Sequence, residues 1–101
     1  MMNQVAIEGT VTGNPLFQKT EKGIDMVLFH IACDQDGTDY TDTFSCVAYE
    51  KCAVSLRGIY AGEPISIVGR LRNGRRTEVD GTTRTITQIR VARAYRIGGL
   101  E

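Results

Sequence analysis

Tryptophan is absent from the sequence, histidine occurs once and cysteine occurs three times. One histidine, His30, and three cysteines without C-x-x-C spacing do not match the ligand pattern of a zinc site. The odd number of cysteines, Cys33, Cys46 and Cys52, also argues against a disulfide framework. We therefore expect reduced thiols, no bound metal or cofactor, and a cytoplasmic protein.

Long apolar runs are missing too. No segment approaches the roughly 18 apolar residues of a membrane span, and the N-terminal NQVAIEGTV lacks the basic stretch and apolar core of a signal peptide. Catalytic patterns are equally scarce, because the single histidine has no serine or cysteine motif around it. These absences predict a soluble, intracellular protein that is not an enzyme.

The net charge is zero, but the two halves of the chain carry opposite charge. Residues 1–56 contain three lysines and eight acidic residues, whereas residues 57–101 contain nine arginines and four acidic residues. Eight of the nine arginines fall within residues 69–96. This asymmetry predicts a polyanionic partner for one face of the protein, and a solvated surface with internally paired charges is the alternative.

Alternating apolar residues predict five strands in a single domain. The first strand carries Val5, Ile7 and Val11 on one face and ends at the TGNP segment. The second is apolar on both faces, as expected for a strand covered twice, in the core or at a subunit contact. The second to fifth strands are read from the segments MVLFHIAC, TFSCVAY, ISIVGRLR and TRTITQIRVARAY.

The connections between these strands carry their own signals. Apolar spacing from Lys51 to AGEP predicts one helix of about two turns between the third and fourth strands. Two type I′ hairpin signals follow, Asn73-Gly74 and Asp80-Gly81. We expect Asp80-Gly81 at the hairpin tip, since this leaves RRTEV to extend the fourth strand, and a bulge or kink at Asn73-Gly74.

Five strands with a short helix at that position are typical of the OB-fold, an all-β, partly open barrel whose exposed face often binds oligonucleotides. An SH3-like barrel is the structural alternative, but its strands seldom carry a two-turn helix there. We assign residues 1–97 to the OB-fold domain and residues 98–101 to a short C-terminal tail.

Three segments add a family resemblance: NQVAIEGTVTGNP, DTFSCVAYEKCA and GEPISIVGRLR. The first looks like N-x-V-x-x-x-G-x-(V/L)-x-x-x-P, the opening of bacterial single-stranded DNA-binding proteins. The second resembles that family's third strand and helix start, and the third resembles the entry to its fourth strand. The spacing between the segments also fits, and the resemblance covers roughly residues 3 to 95.

The resemblance implies sequence-independent binding of single-stranded DNA in replication, recombination or repair, by a homotetramer or homodimer. The family usually ends in a long segment with an acidic tip that recruits other proteins, whereas this chain stops at RIGGLE. Recruitment through such a tail is therefore not expected. The related primosomal replication protein, which is dimeric and has no such tail, is a second resemblance.

Strand parity separates the candidate binding residues from the core. If Ile65, Ile67 and Leu71 face inward on the fourth strand, Arg70 and Arg72 face outward, and Arg76 follows when the ribbon has no bulge. A row of guanidinium groups binds phosphates and can stack on bases. The alternative is a solvated hairpin whose arginines pair with acidic residues near its tip.

Parity on the third strand places Phe44, Cys46 and Ala48 in the core and Ser45 and Tyr49 on the opposite face. Tyr49 is the expected base-stacking residue. Thr43 and Arg76 stand where many members of the family have aromatic residues, and tryptophan is absent. We therefore expect phosphate contacts to contribute more of the affinity here.

Four further residues are candidate DNA contacts: Lys19 and Lys22 in the first long loop, and Arg84 and Arg90 on the outward side of the fifth strand. On that strand Ile89, Val91 and Tyr95 are expected to share the inward side, with Arg93 on the same parity. Two alternatives remain open. The arginine face could dock an acidic protein, such as a primosome component, or it could bind RNA.

Overall fold

The computed structural model describes residues 1–34, 37 and 39–97, and for residue 76 the backbone only. The predicted tail, residues 98–101, and part of the acidic loop after the second strand lie outside the described residues.

The described residues form five strands and one helix: β1 (Val5–Lys19), β2 (Asp25–Asp34), β3 (Thr41–Tyr49), α1 (Glu50–Ser55), β4 (Pro64–Thr77) and β5 (Thr83–Arg96). The strands close into a barrel in the order β1-β2-β3-β5-β4. Neighbouring strands are antiparallel except β3 and β5, which close the barrel in parallel through two residue pairs, Cys46 with Ile89 and Val47 with Arg90. This arrangement, with its helix between β3 and β4, confirms the predicted OB-fold.

The barrel interior is filled by alternate residues of the strands, as their apolar period predicts. The central strand β2 contributes Val27, Phe29 and Ile31, each at most 1% exposed. The other strands bury Val11, Cys46, Ala48, Ile65, Ile67, Ile89 and Val91. Burial raises the pKa of the Cys46 thiol to about 12, so this cysteine is an inert apolar residue of the core.

A bulge between β4 and β5 reverses side-chain parity along β5. Val68 pairs with Arg93 and Gly69 pairs with Val91, which leaves Ala92 without a partner on β4. One extra residue turns every later side chain to the other face. Tyr95 is therefore 54% exposed, so its predicted inward position is wrong, and Arg93 is exposed as well.

Leu71 was also expected in the core, and it is 47% exposed. It keeps the parity of Ile65 and Ile67, but β4 pairs with β1 only as far as Gly69. Beyond that residue β4 has β5 as its partner, and the two strands form a ribbon that projects from the barrel. At the base of this ribbon, the side chain of Asn3 forms two hydrogen bonds of 2.9 Å with the backbone of Leu71.

The strand β1 does not end at TGNP, contrary to the prediction. It continues to Lys19, with a register irregularity between Thr12 and Leu16 and with Gly13 at φ +71°. Its first part pairs with β4 and its second part with β2, so the strand must bend around the barrel. A bulge with a glycine in the left-handed region provides that bend.

The β4–β5 hairpin turns where expected, at residues 78–82, but not through a type I′ turn. The amide of Gly81 donates to the carbonyl of Glu78 at 3.0 Å, and Gly81 has φ +89°. This is a three-residue loop with glycine in the left-handed position. Asn73 and Gly74 pair in regular register with Thr87 and Ile86, so the bulge predicted at Asn73-Gly74 is wrong.

The helix α1 is shorter than predicted and begins at Glu50 rather than Lys51. Leu56 and Ile59 are buried as their spacing suggested, but they lie in the turns after the helix. The described residues contain no helix long and apolar enough to cross a membrane.

A partly buried ion pair holds the end of β5 against the barrel. Glu63 is 2% exposed and accepts hydrogen bonds from the guanidinium of Arg96, one of them at 2.9 Å from Nη2. Arg96 also donates to the carbonyl of Arg57 at 3.1 Å, and its hydrogen bonds to Glu63 raise its pKa. This arginine therefore has a structural role, because its guanidinium is already hydrogen-bonded within the protein.

We predict that Gly69→Ala destabilises the protein by at least about 2 kcal/mol, because a Cβ at Gly69 would overlap the carbonyl oxygen of Arg90. Urea denaturation followed by circular dichroism measures the change. Gly74→Ala is the matched control, since nothing lies within 4 Å of a Cβ built there. Its effect is expected within about 0.5 kcal/mol of wild type, and equal stability of the two variants would contradict this account of the bulge.

Candidate nucleic-acid interface

The outward face of the β4–β5 ribbon concentrates arginine. Arg70 pairs across the strands with Arg90, and Arg72 pairs with Gln88. Further out, the backbone of residue 76 pairs with Arg84. Paired residues of antiparallel strands share a face, so these positions lie on the same side of the ribbon, as parity predicted.

Two of these cross-strand pairs join positions of like charge, which is unfavourable in an antiparallel sheet. Within the described part of the chain, Arg70, Arg72 and Arg90 form no ion pair with any carboxylate. All three are exposed. The face therefore carries positive charge that its own neighbours do not neutralise, which favours an anionic ligand.

Tyr49 stands beside this face at the end of β3. Its ring is half-buried, and the guanidinium carbon of Arg90 lies 4.9 Å from the ring centroid. The contact arises because Val47, two residues earlier on the same face of β3, pairs with Arg90 of β5. Such a cation–π contact is worth about 0.5–1 kcal/mol at an exposed site.

Two clefts flank the pair formed by Tyr49 and Arg90. The larger has a volume of about 360 Å³ and contains Arg70, and the smaller has a volume of about 160 Å³ and contains Arg72. Both include Tyr49 and Arg90 in their walls. Each cleft therefore offers an aromatic ring, a shared guanidinium and one guanidinium of its own.

Sequence reasoning missed two residues of these clefts. Gln88 lines the smaller cleft, and its place opposite Arg72 on the outward parity was a signal that could have found it. Glu50 lines the larger cleft, next to Tyr49. At φ +57° it is the one non-glycine residue of the described chain in the left-handed region, and no sequence signal marks it.

The other predicted contacts lie away from the two clefts. Lys19 lines a separate cleft and forms an ion pair with Asp25 at 2.9 Å. Lys22 is exposed in the turn between β1 and β2. Arg84 lies 3.8 Å from a carboxylate oxygen of Glu78, as the alternative of a self-paired hairpin tip predicted.

Two predictions have a limited structural outcome. Ser45 is half-buried and pairs with His30, two residues before Val47 on the outer face of β3. The backbone of Arg76 has the expected register position, but its side chain lies outside the described residues. Among the residues that are described, no group of three or more His, Cys, Asp or Glu side chains is placed to hold a metal ion.

Comparison with known proteins agrees with this geometry. The model of the single-strand binding protein family matches residues 2–97. The chain belongs to this family. Its members are DNA-binding proteins rather than enzymes, which confirms the expectation of a non-catalytic role.

Three relatives are similar over most of this family member. The single-stranded DNA-binding protein 2 of Chlorobaculum tepidum is 30% identical over 101 residues, covering 91% of this chain and 68% of the relative. The single-stranded DNA-binding protein of Deinococcus radiodurans is 28% identical over 91% of this chain and 33% of its own length. The single-stranded DNA-binding protein of Oceanobacillus iheyensis is 26% identical over 88% of this chain and 59% of its own length. The chain thus spans less than two thirds of the last two relatives.

We predict that Glu50→Gly raises the free energy of unfolding by about 1 kcal/mol, because glycine adopts a positive φ without strain. A gain of this size raises Tm by about 4–8 °C in a domain of this length. The variant should also bind a polyanion more tightly, since a carboxylate leaves the cleft that contains Arg70. Thermal unfolding by circular dichroism measures the stability. Lys51→Gly, at a position of negative φ in the same helix, should lower Tm; a gain in both variants would contradict the strain at Glu50.

Proposed function

We propose that the protein binds single-stranded DNA without sequence preference, in replication, recombination or repair. The observation that carries this proposal is a set of arginines, Arg70, Arg72 and Arg90, that form no ion pair among the described residues and lie beside an aromatic ring, in a member of the single-strand binding protein family. We also propose a cytoplasmic location, because the proposed partner is DNA and the three thiols are free.

The chemistry of the face suits a single strand better than a duplex. Phosphates meet exposed guanidinium groups at Arg70 and Arg72, and their counterions are released on binding. A base that stacks near Tyr49 must present its flat face, which a duplex keeps inside its own stack. Neither contact reads the hydrogen-bonding edge of a base, so little sequence preference is expected.

The outlying predicted residues extend this face in the proposal. Arg76 and Arg84 continue the arginine row toward the hairpin tip, with Arg84 shared between Glu78 and a phosphate. Ser45 continues the face of Tyr49 along β3. Lys19 and Lys22 lie at the β1–β2 turn and would contact a strand that leaves the two clefts.

The test is a fluorescence anisotropy titration of labelled oligo-dT, at two salt concentrations, with a duplex of equal length as the control. Tight binding to the single strand that weakens steeply with salt, and weak binding to the duplex, is the expected result. Equal binding to oligo-rU and oligo-dT would instead favour RNA as an equal partner. No binding at low salt would remove the proposal and favour an acidic protein as the partner of the arginine face.

Arg72→Ala is predicted to weaken binding to all single strands about equally and to reduce the slope of log K against log salt by about 0.7, one phosphate contact. Arg76→Ala should do the same. Tyr49→Ala should weaken binding while leaving the slope near the wild-type value, because a ring contacts no phosphate. Unchanged affinity and slope in both arginine variants would show that the binding face lies elsewhere.

We further propose that the protein is a homotetramer or homodimer. The second strand is apolar on both faces, with Met26 and Leu28 half-buried on the outer side. Tyr95 and Ile97, 54% and 46% exposed, add apolar surface on the outer face of β5 below the bulge. Apolar residues gathered on outer faces favour a contact between copies of the chain.

Tyr95→Glu is expected to shift the protein toward monomer in sedimentation velocity at micromolar concentration, because a buried carboxylate without a partner opposes association. The control is Val79→Glu at the hairpin tip, where the side chain is fully exposed and association should be unchanged. A wild-type protein that sediments as a monomer would refute the proposed oligomer.

A further inference from the structure

The contact between Tyr49 and Arg90 divides the binding face. The guanidinium carbon lies 4.9 Å from the ring centroid, and both residues line both clefts. The pair is therefore the partition between the two clefts. A strand that occupies both clefts must therefore pass the Tyr49–Arg90 pair.

A guanidinium held against a ring differs from a free one. It is planar, and the contact with Tyr49 on one side leaves its other face and N–H groups for other partners. An ammonium group of the same charge has no flat face. Arg90 is thus prepared for stacking contact in a way that an exposed lysine could not reproduce.

The neighbouring arginines make Arg90 unnecessary as a phosphate contact. Arg70 lies in the larger cleft and Arg72 in the smaller, so each cleft has a guanidinium that is free of the ring. Arg70 also pairs directly with Arg90 across the strands. Since like charges repel at that spacing, a phosphate is better placed at Arg70, where it also screens Arg90.

We propose that Arg90 is a base-stacking residue: a base of the bound strand stacks on the face of its guanidinium that Tyr49 leaves free, while Tyr49 is the positioning residue that holds the guanidinium in place. The inference rests on the proposed binding of single-stranded DNA and adds how a chain without tryptophan contacts bases. It assigns phosphate contact to Arg70 and Arg72 and base contact to Arg90.

The experiment compares Arg90→Lys with Arg72→Lys, both of which keep the charge. Each is titrated against oligo-dT and against an abasic oligonucleotide with the same number of phosphates. Arg90→Lys should lose about tenfold in affinity for oligo-dT, with an unchanged salt slope, and lose nothing on the abasic strand. Arg72→Lys should remain within about twofold of wild type on both strands, because a lysine still binds a phosphate.

The role of Tyr49 is tested by Tyr49→Leu, which removes the ring, and Tyr49→Phe, which keeps it. Tyr49→Leu should lose about as much affinity for oligo-dT as Arg90→Lys, and the double variant should lose little more, because the two residues act as one unit. Tyr49→Phe should bind within about twofold of wild type. A thermal melt of each variant verifies that it is folded, and if Tyr49→Leu does not fold, the comparison of Arg90→Lys on oligo-dT and on the abasic strand tests the stacking role by itself.

The outcomes separate this inference from the proposed function. Wild-type binding to oligo-dT together with an unaffected Arg90→Lys variant would overturn the stacking role alone. A loss that is equal on oligo-dT and on the abasic strand would also overturn it, since Arg90 would then contact the backbone. Absence of wild-type binding would overturn the proposed function and this inference with it.

Discussion

The close approach of β4 and β5 at Gly69 is the constraint on which the rest of the structure depends. Gly69 lies directly against the backbone of Arg90, with no room for a Cβ, and Ala92 is left over as the bulge. On the hairpin side of this point, Arg90 faces outward and reaches the ring of Tyr49. In the part of β5 that follows Ala92 the side-chain parity is reversed, and Tyr95 faces outward on another part of the barrel. One glycine therefore places both the arginine face and the apolar surface proposed for association.

The binding face is built at some expense of stability. Arg70 opposes Arg90 across the ribbon, and Glu50 holds a backbone conformation that disfavours any side chain. By contrast, Arg96 is paired with a buried carboxylate and fastens the barrel. The difference between these arginines is therefore the presence of a nearby carboxylate, which pairs with Arg96 but not with Arg70 among the described residues. In the proposed function, a polyanion would give Arg70 and Arg72 the negative partner that Glu63 gives Arg96.

Parity arguments succeeded for β2 and β3, which have a neighbour on each side, and also for the outward arginines of β4 and β5. The inward residues of β2 and β3 and the outward positions of Arg70, Arg72 and Arg90 were all predicted in this way. Sequence-based predictions failed where regular strand pairing is interrupted. Tyr95 follows the bulge, Leu71 lies in the projecting ribbon, and β1 continues through a bend where it was expected to end. A local pattern contains no information on where a strand loses a partner or gains a residue, because that depends on segments far away in the chain.

The sequence by itself determined the succession of five strands and one helix along the chain, the OB-fold that this succession is typical of, and the division between core and arginine face, since alternation and turn residues are local properties. Only the tertiary structure decided which arginines converge. Arg90 reaches Tyr49 through the parallel contact of β3 with β5, two segments about 40 residues apart with no pairing signal of their own. Closure of the barrel makes that contact, and the two clefts beside it exist only once the barrel has closed.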